Sequence, residues 1–525
     1  MIDDERTVTT GPWRLTLRGA ELADVTYRGV TVLRAVRFVT RDHDWRTTDD
    51  TVLDTTIDTD EDGARLRIAA SAAFDGREVL RYTLDVSIDG GTVLVAATGT
   101  TTTAFRRNRI GLVVLHPPTL AGLPFTVRHP TAAPTDAVFP TWIAPHQPAT
   151  DVVGYTWTVD GIDVDVTLAG DVFEMEDQRN WTDASYKTYS TPLSEPFPVA
   201  LDAGTVLHQS VALQCGPAGT VPPGGAASPA PALALLDGPA PTTAVTPPPT
   251  LQLLAGSGPA AARPDDAALL VGVPVLVEPA LGAPGVDAVL ASARRDAGGA
   301  PLDVRFVTDD PDALRHAIAS VLADGPVARV GAFDPATHVT TPALQRALLD
   351  AQAASGDLEV VAGTRAHFTE LNRTIDVFRD WDGPLTFSAT PQMHDRSRTQ
   401  VTESIRMLRW VVVSASRPAA GRPLHVGPVT LRPRFNAVAT SARPTVSDAT
   451  DPDQHSVAAG AWFRAAVSAL TVPGVASITL AEAWGPRGVV ASDGTHAPAA
   501  AVFGQGERPA GRGSAGRSGP GGISA

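Results

Sequence analysis

Apolar residues follow two regimes along the chain. Between residue 11 and about 214 they come in short runs of period two, at 13–17, 64–69, 80–88, 92–97, 110–115, 155–159, 162–168 and 206–213. That period puts every second side chain on one face, so each run predicts a half-buried strand. The punctuation agrees: Asp89-Gly90-Gly91 and Asp160-Gly161 stand between pairs of runs, and such residues supply the left-handed conformations of tight hairpins. An antiparallel β-sandwich over residues 1–215 is the expectation.

From about 266 the rhythm changes. Strand-like runs at 268–277, 302–307, 327–333, 358–363, 385–389, 424–426 and 475–480 are interleaved with helical patterns at 312–322, 342–351, 399–413 and 454–470. Strand followed by helix, repeated, predicts a parallel sheet with crossover helices. A (β/α) barrel of TIM type over 266–503 fits better than a doubly wound sheet, because polar clusters follow several strand ends and no glycine-rich phosphate loop is present. Eight clean units cannot be counted, so the barrel is expected to be irregular or incomplete at its start. Residues 216–265, rich in Pro, Ala and Gly without a period, read as a linker or a degenerate barrel entry, and 504–525 as a disordered tail.

Composition narrows the function classes. The 525 residues have room for two or three domains. With 57 acidic against 42 basic residues, a net charge of −15 and no Lys/Arg block, no nucleic-acid partner is expected. The acidic start Met1-Ile2-Asp3-Asp4-Glu5-Arg6 lacks the apolar core of a secretory signal, and no apolar span of membrane length follows. The expectation is a cytoplasmic protein without a membrane partner. Its single cysteine, Cys215, excludes an intrachain disulfide and a cysteine-based zinc cluster, and reads as a buried inert thiol.

Five segments concentrate chemistry. The stretch 173–189 packs acids, bases, amides and the rings of Trp181, Tyr186 and Tyr189 beside Lys187. Two readings stand side by side: a carbohydrate-facing surface, and an inter-domain clasp. After the run 358–363 come His367, Glu370, Asn372 and Arg373; on a barrel this position opens onto the active face, with Glu370 as acid or base and Asn372 or Arg373 on a substrate oxygen. After 385–389 comes His394 beside Asp395, an imidazole suited to proton transfer. After 424–426 come Arg432 and Arg434, fixed donors for a carboxylate or lactone oxygen. After 475–480 come Glu482, the companion carboxylate to Glu370, and Trp484, a ring on which a sugar could stack. His367, Glu370 and His394 form no HExxH-like motif, and neither a metal nor another cofactor is expected. No GxSxG elbow is present, so attack by base-activated water is the simpler hydrolytic scheme.

These segments bear a family resemblance. Asn108-Arg109-Ile110-Gly111 through His116-Pro117-Pro118, Phe139-Pro140 through Pro145-His146-Gln147-Pro148, 174–189, Phe368-Thr369-Glu370-Leu371-Asn372-Arg373, Pro391-Gln392-Met393-His394-Asp395-Arg396, 427–436 and Glu482 with Gly485-Pro486-Arg487-Gly488 resemble the D-apionate lactonase family. The resemblance implies a β-rich domain joined to a glycosidase-like barrel, and hydrolysis of a sugar-acid lactone, D-apionolactone to D-apionate. Two other classes remain open: a glycoside hydrolase using Glu370 and Glu482, and a non-catalytic carbohydrate-binding protein with Trp142, Trp181 and Trp484 as platforms.

Overall fold

The computed structural model describes residues 5–61, 63–219, 247–438 and 449–504. Alternation in the first 217 residues becomes two antiparallel nine-stranded sheets packed face to face. One runs Glu5–Thr10, Trp13–Arg18, Glu21–Tyr27, Val30–Asp42, Phe105–His116, Tyr186–Tyr189, Phe173–Asp177, Ala149–Val152, with Val199–Leu201 also on Phe105–His116. The other runs Thr135–Val138, Pro124–Arg128, Gly154–Val159, Ile162–Ala169, Val206–Pro217, Thr92–Thr101, Arg77–Asp89, Gly63–Phe74, Asp49–Thr59. Trp13, Leu15 and Leu17 on one strand and Leu80, Tyr82, Leu84 and Val86 on another fill the space between the sheets. Each such apolar side chain removed from water contributes about 1.5–3 kcal/mol. Both expected hairpins form: Asp89 pairs with Thr92, and Val159 pairs with Ile162 across Asp160 and Gly161, both at positive φ. Cys215 is buried in this core.

The second domain is a closed barrel of eight parallel strands. They are β1 (Thr250–Leu254), β2 (Val275–Val277), β3 (Leu302–Val307), β4 (Val327–Phe333), β5 (Glu359–His367), β6 (Leu385–Ala389), β7 (Leu424–Val429) and β8 (Val475–Glu482), with β8 pairing back on β1. Helices α1 (Val286–Ala297), α2 (Pro311–Ala323), α3 (Pro342–Ser355), α4 (Phe368–Arg373), α5 (Arg398–Ala419) and α6 (Val457–Leu470) cover it. The entry keeps its irregular character without breaking the ring. β1 follows a run of prolines inside the stretch 216–265, and β1 and β2 are joined by 3-10 turns at Ala260–Ala262 and Asp266–Ala268. Of the expected strand at 268–277 only Val275–Val277 is extended, while the tail expected at 504–525 lies outside the described residues apart from Gly504. At the N-terminal end the interior is polar: Arg305 and Arg329 pair with the buried Asp303, and Thr479 donates to Gln252. No helix of the described residues is long and apolar enough to cross a membrane.

The two domains meet through the segment singled out above. Arg179 is fully buried between the rings of Tyr186 and Trp410, at 4.5 and 4.3 Å, and bound to Asp177 at 2.6 Å. Trp410 Nε1 donates to the Thr141 carbonyl at 2.9 Å, Thr182 Oγ1 to that of Thr390 at 2.6 Å, and Arg37 reaches Asp395 at 3.1 Å.

Candidate active site at the barrel mouth

The C-terminal ends of β1, β2, β5, β7 and β8 open onto a cleft of about 530 Å³, walled on one side by Val289, Ser292 and Arg295 of α1. It holds two carboxylates in different electrostatic settings. Glu278, directly after β2, lies between two guanidinium groups, Arg365 of β5 at 2.8 Å and Arg434 of the β7 loop at 2.8 Å. Burial alone would raise its pKa, but the two arginines outweigh it and hold the carboxyl at about 2. Phe435 lies against both guanidinium groups, 4.6 Å from Arg365 and 5.5 Å from Arg434.

Glu482, the last residue of β8, is 2% exposed. Burial raises its pKa, opposed by Arg487, Ser257 and, from across the cleft, Arg434. Its neighbours are locally determined. The chain turns back after β8, the Glu482 N–H donating to the Arg487 carbonyl and the Val489 N–H to the Glu482 carbonyl, which brings Arg487 onto the carboxylate at 2.6 Å. From the other side Ser257 Oγ lies 2.9 and 3.0 Å from the two carboxylate oxygens, and its N–H donates to one of them at 3.2 Å. Ser257 sits between two glycines because the loop runs against the Trp484 ring: a Cβ on Gly256 would come within 2.3 Å of that indole, and one on Gly258 within 2.9 Å. Asp296 of α1 ties the two together, accepting from Trp484 Nε1 at 3.1 Å and from the Gly256 N–H at 3.0 Å.

The expected site residues divide between two places. Glu482, Arg434 and Trp484 meet at the barrel mouth, Trp484 as a buried brace under the loop. Arg432 follows β7 but turns to Asp451 at 3.2 Å. The others lie at the domain interface. Asn372 donates to the Ile143 carbonyl and to Asn180, and Arg373 to the Pro145 carbonyl. Glu370, on α4 with them, is pushed up to about 7 by burial, and its Oε2 has no hydrogen-bond partner among the described residues. His394 contacts Asp183 at 2.7 Å, and burial drives the imidazole down and the carboxyl up to about 8, towards a neutral pair. Lys187 pairs with Glu176, and Tyr186 donates to the Pro140 carbonyl at 2.6 Å. Of the rings suggested as platforms, Trp142 is covered by Arg417 at 4.5 Å and Trp181 by Arg373 at 5.3 Å with His394 at its edge.

Ser257, Glu278, Arg365 and Arg487 are among the lining residues that the expected site did not include. The signal for Glu278 was present, since it directly follows the run ending at Val277 and precedes Pro279. Ser257 lies in the Pro/Ala/Gly stretch, whose lack of a clean period gives it no position relative to a strand.

Comparison with known proteins agrees with this architecture. Residues 2–218 match the model of the D-apionate lactonase N-terminal domain, and residues 285–511 that of the D-apionate lactonase TIM barrel domain. Ser257 and Glu278 fall in the stretch between the two matches. A D-apionate lactonase of Brucella anthropi is 28% identical over 516 residues, covering 91% of this chain and 82% of that protein. Among solved structures, the Slr1438 protein of Synechocystis sp. PCC 6803 is similar at 10% identity and a TM-score of 0.30, over 41% of this chain and 98% of its own. A glycoside hydrolase family 97 enzyme of Pseudoalteromonas sp. strain K8, in complex with acarbose, is similar at 8% identity and a TM-score of 0.30, over 82% of this chain and 67% of its own. With both domains matched in order, the chain belongs to the D-apionate lactonase family.

Proposed function

We propose that this protein hydrolyses the ring ester of a sugar-acid lactone at the barrel mouth, with D-apionolactone as the first substrate and D-apionate as its product, and that it does so in the cytoplasm. The observation that carries this is Glu482: a buried carboxylate of raised pKa at a strand end, beside a cleft with four arginines. Ester hydrolysis needs a base to take a proton from the attacking hydroxyl and positive charge where the carbonyl oxygen becomes anionic. Glu482 supplies the first. Arg434 and Arg365, fixed against Glu278, supply the second, since two guanidinium groups on one carboxylate leave a net positive charge. The family name and the Brucella anthropi relative support the substrate class.

The same cleft also contains one ionised and one pKa-raised glutamate, the combination a retaining glycosidase uses. The arginines on Glu278 argue against that role, because they occupy the oxygen pair that would attack an anomeric carbon. Proton release from a sugar-lactone panel, run beside reducing-sugar release from a glycoside panel, separates the two readings. Lactone opening above the spontaneous rate supports the proposal, and glycoside cleavage without it overturns the proposal.

A further inference from the structure

Ser257 and Glu482 line the cleft side by side. The serine is exposed whereas Glu482 is 2% exposed. Both carboxylate oxygens lie within hydrogen-bond distance of the serine hydroxyl, and one of them is also paired with Arg487. Of the two groups, the Ser257 hydroxyl is the more accessible to a substrate in the cleft. That hydroxyl is polarised from both sides: it gives its proton towards Glu482 and accepts from Arg487 Nη2. An adjacent base activates a weak hydroxyl nucleophile, and a cation at its oxygen lowers the cost of losing the proton. The loop is packed on the Trp484 ring and tied to Asp296 where this matters.

We propose that Ser257 is the nucleophile of the reaction and that the lactone opens onto it as an acyl-enzyme. The inference rests on the lactone reading above. Ser257 Oγ attacks the ring carbonyl carbon while its proton passes to Glu482. The tetrahedral intermediate collapses by breaking the ring C–O bond, and the departing alkoxide takes the proton from Glu482, leaving an ester on Ser257 and a free hydroxyl on the acyl chain. Water then attacks that ester, giving its proton to Glu482, which returns it to Ser257 Oγ as the acid leaves. No oxidant, reductant or co-reactant besides water is needed. Because a lactone has no separate leaving group, the intermediate weighs the enzyme plus the whole lactone.

The test is acid quenching of the full chain during turnover of D-apionolactone, followed by intact-mass and peptide analysis, with Ser257→Ala and Ser257→Cys compared for turnover. The expected result is an adduct of one lactone mass on the peptide containing Ser257, and loss of at least about 10²-fold in kcat in the alanine variant at parent-like melting temperature. Should the alanine variant not fold, hydroxylamine partitioning in the parent decides, using the lactone and the open methyl ester of the same acid. A shared acyl-enzyme gives one hydroxamate-to-acid ratio for both substrates, and direct attack by water gives two. Two different ratios, or Ser257→Ala turnover within tenfold of parent, overturn the nucleophile while leaving the lactone reading standing. A parent inert on every sugar lactone overturns the lactone reading and the nucleophile with it.

Discussion

Burial acts on both carboxylates of the cleft in the same direction, and their partners decide the outcome. Glu278, bound by two arginines, has its pKa held at about 2, while that of Glu482, bound by one arginine and a serine and only distantly attracted by Arg434, is raised. A base must be ionised to act, so kcat/KM should rise with pH along an acid limb whose midpoint lies above the ordinary glutamate value of 4.5. A pH–rate profile checks this, and a limb centred below that value would count against Glu482 as the base. Glu370 makes a separate prediction. A carboxyl whose folded pKa is raised, here from 4.5 to about 7, binds its proton more tightly folded than unfolded. Its effect on stability is therefore favourable below the unfolded pKa and is lost as pH rises through that window, at a cost of up to about 3 kcal/mol at 1.36 kcal/mol per unit. Glu370→Gln should raise the melting temperature relative to parent at pH 8 and leave it near parent at pH 4. Equal shifts at both pH values would contradict the burial argument.

At the scale of elements, legibility followed periodicity. Hairpins at Gly90 and Gly161 and the strands β3 to β8 could be placed because their runs are long or their turns need left-handed residues. β1 could not: Thr250-Leu251-Gln252-Leu253 alternates over only four residues, and so short a run directly after three prolines resembles a linker. With β1 went its loop, and with the loop Ser257. The segment 173–189 was conspicuous in sequence because buried charges must be paired, and pairing across a domain boundary looks in one dimension like a binding surface. The loop after β1 also gives a sharp packing test. Gly256→Ala puts a Cβ within 2.3 Å of Trp484, so either the indole or the loop must move. The expected result is a loss of about 1–3 kcal/mol of stability together with a drop in kcat. Denaturant melts and turnover measured on the same sample check it, and an unchanged kcat would show that the loop position does not govern the reaction.

At the scale of the whole molecule, sandwich and barrel are joined by paired, buried polar groups, so each domain completes the other's hydrogen bonding. Leaving those groups unpaired costs each about 1–3 kcal/mol, which predicts one calorimetric transition for both domains. Two well-separated transitions would contradict it. Acid should destabilise the molecule in a defined window. Glu176, Glu278 and Glu359 are held at about 2, the attraction of Lys187, of Arg434 and Arg365, and of His425 and Arg329 outweighing the burial that opposes each. Depressed carboxylates contribute stability above their unfolded pKa and lose it as pH falls through the folded one, so the melting temperature should drop between about pH 4.5 and pH 2. The measurement that bears most directly on function is proton release from D-apionolactone at neutral pH by parent and Glu482→Gln at matched folded concentration. Opening by the parent well above the spontaneous rate, reduced at least about 10²-fold in the variant, is the predicted result. A parent at the spontaneous rate, or a variant as fast as the parent, would contradict the account.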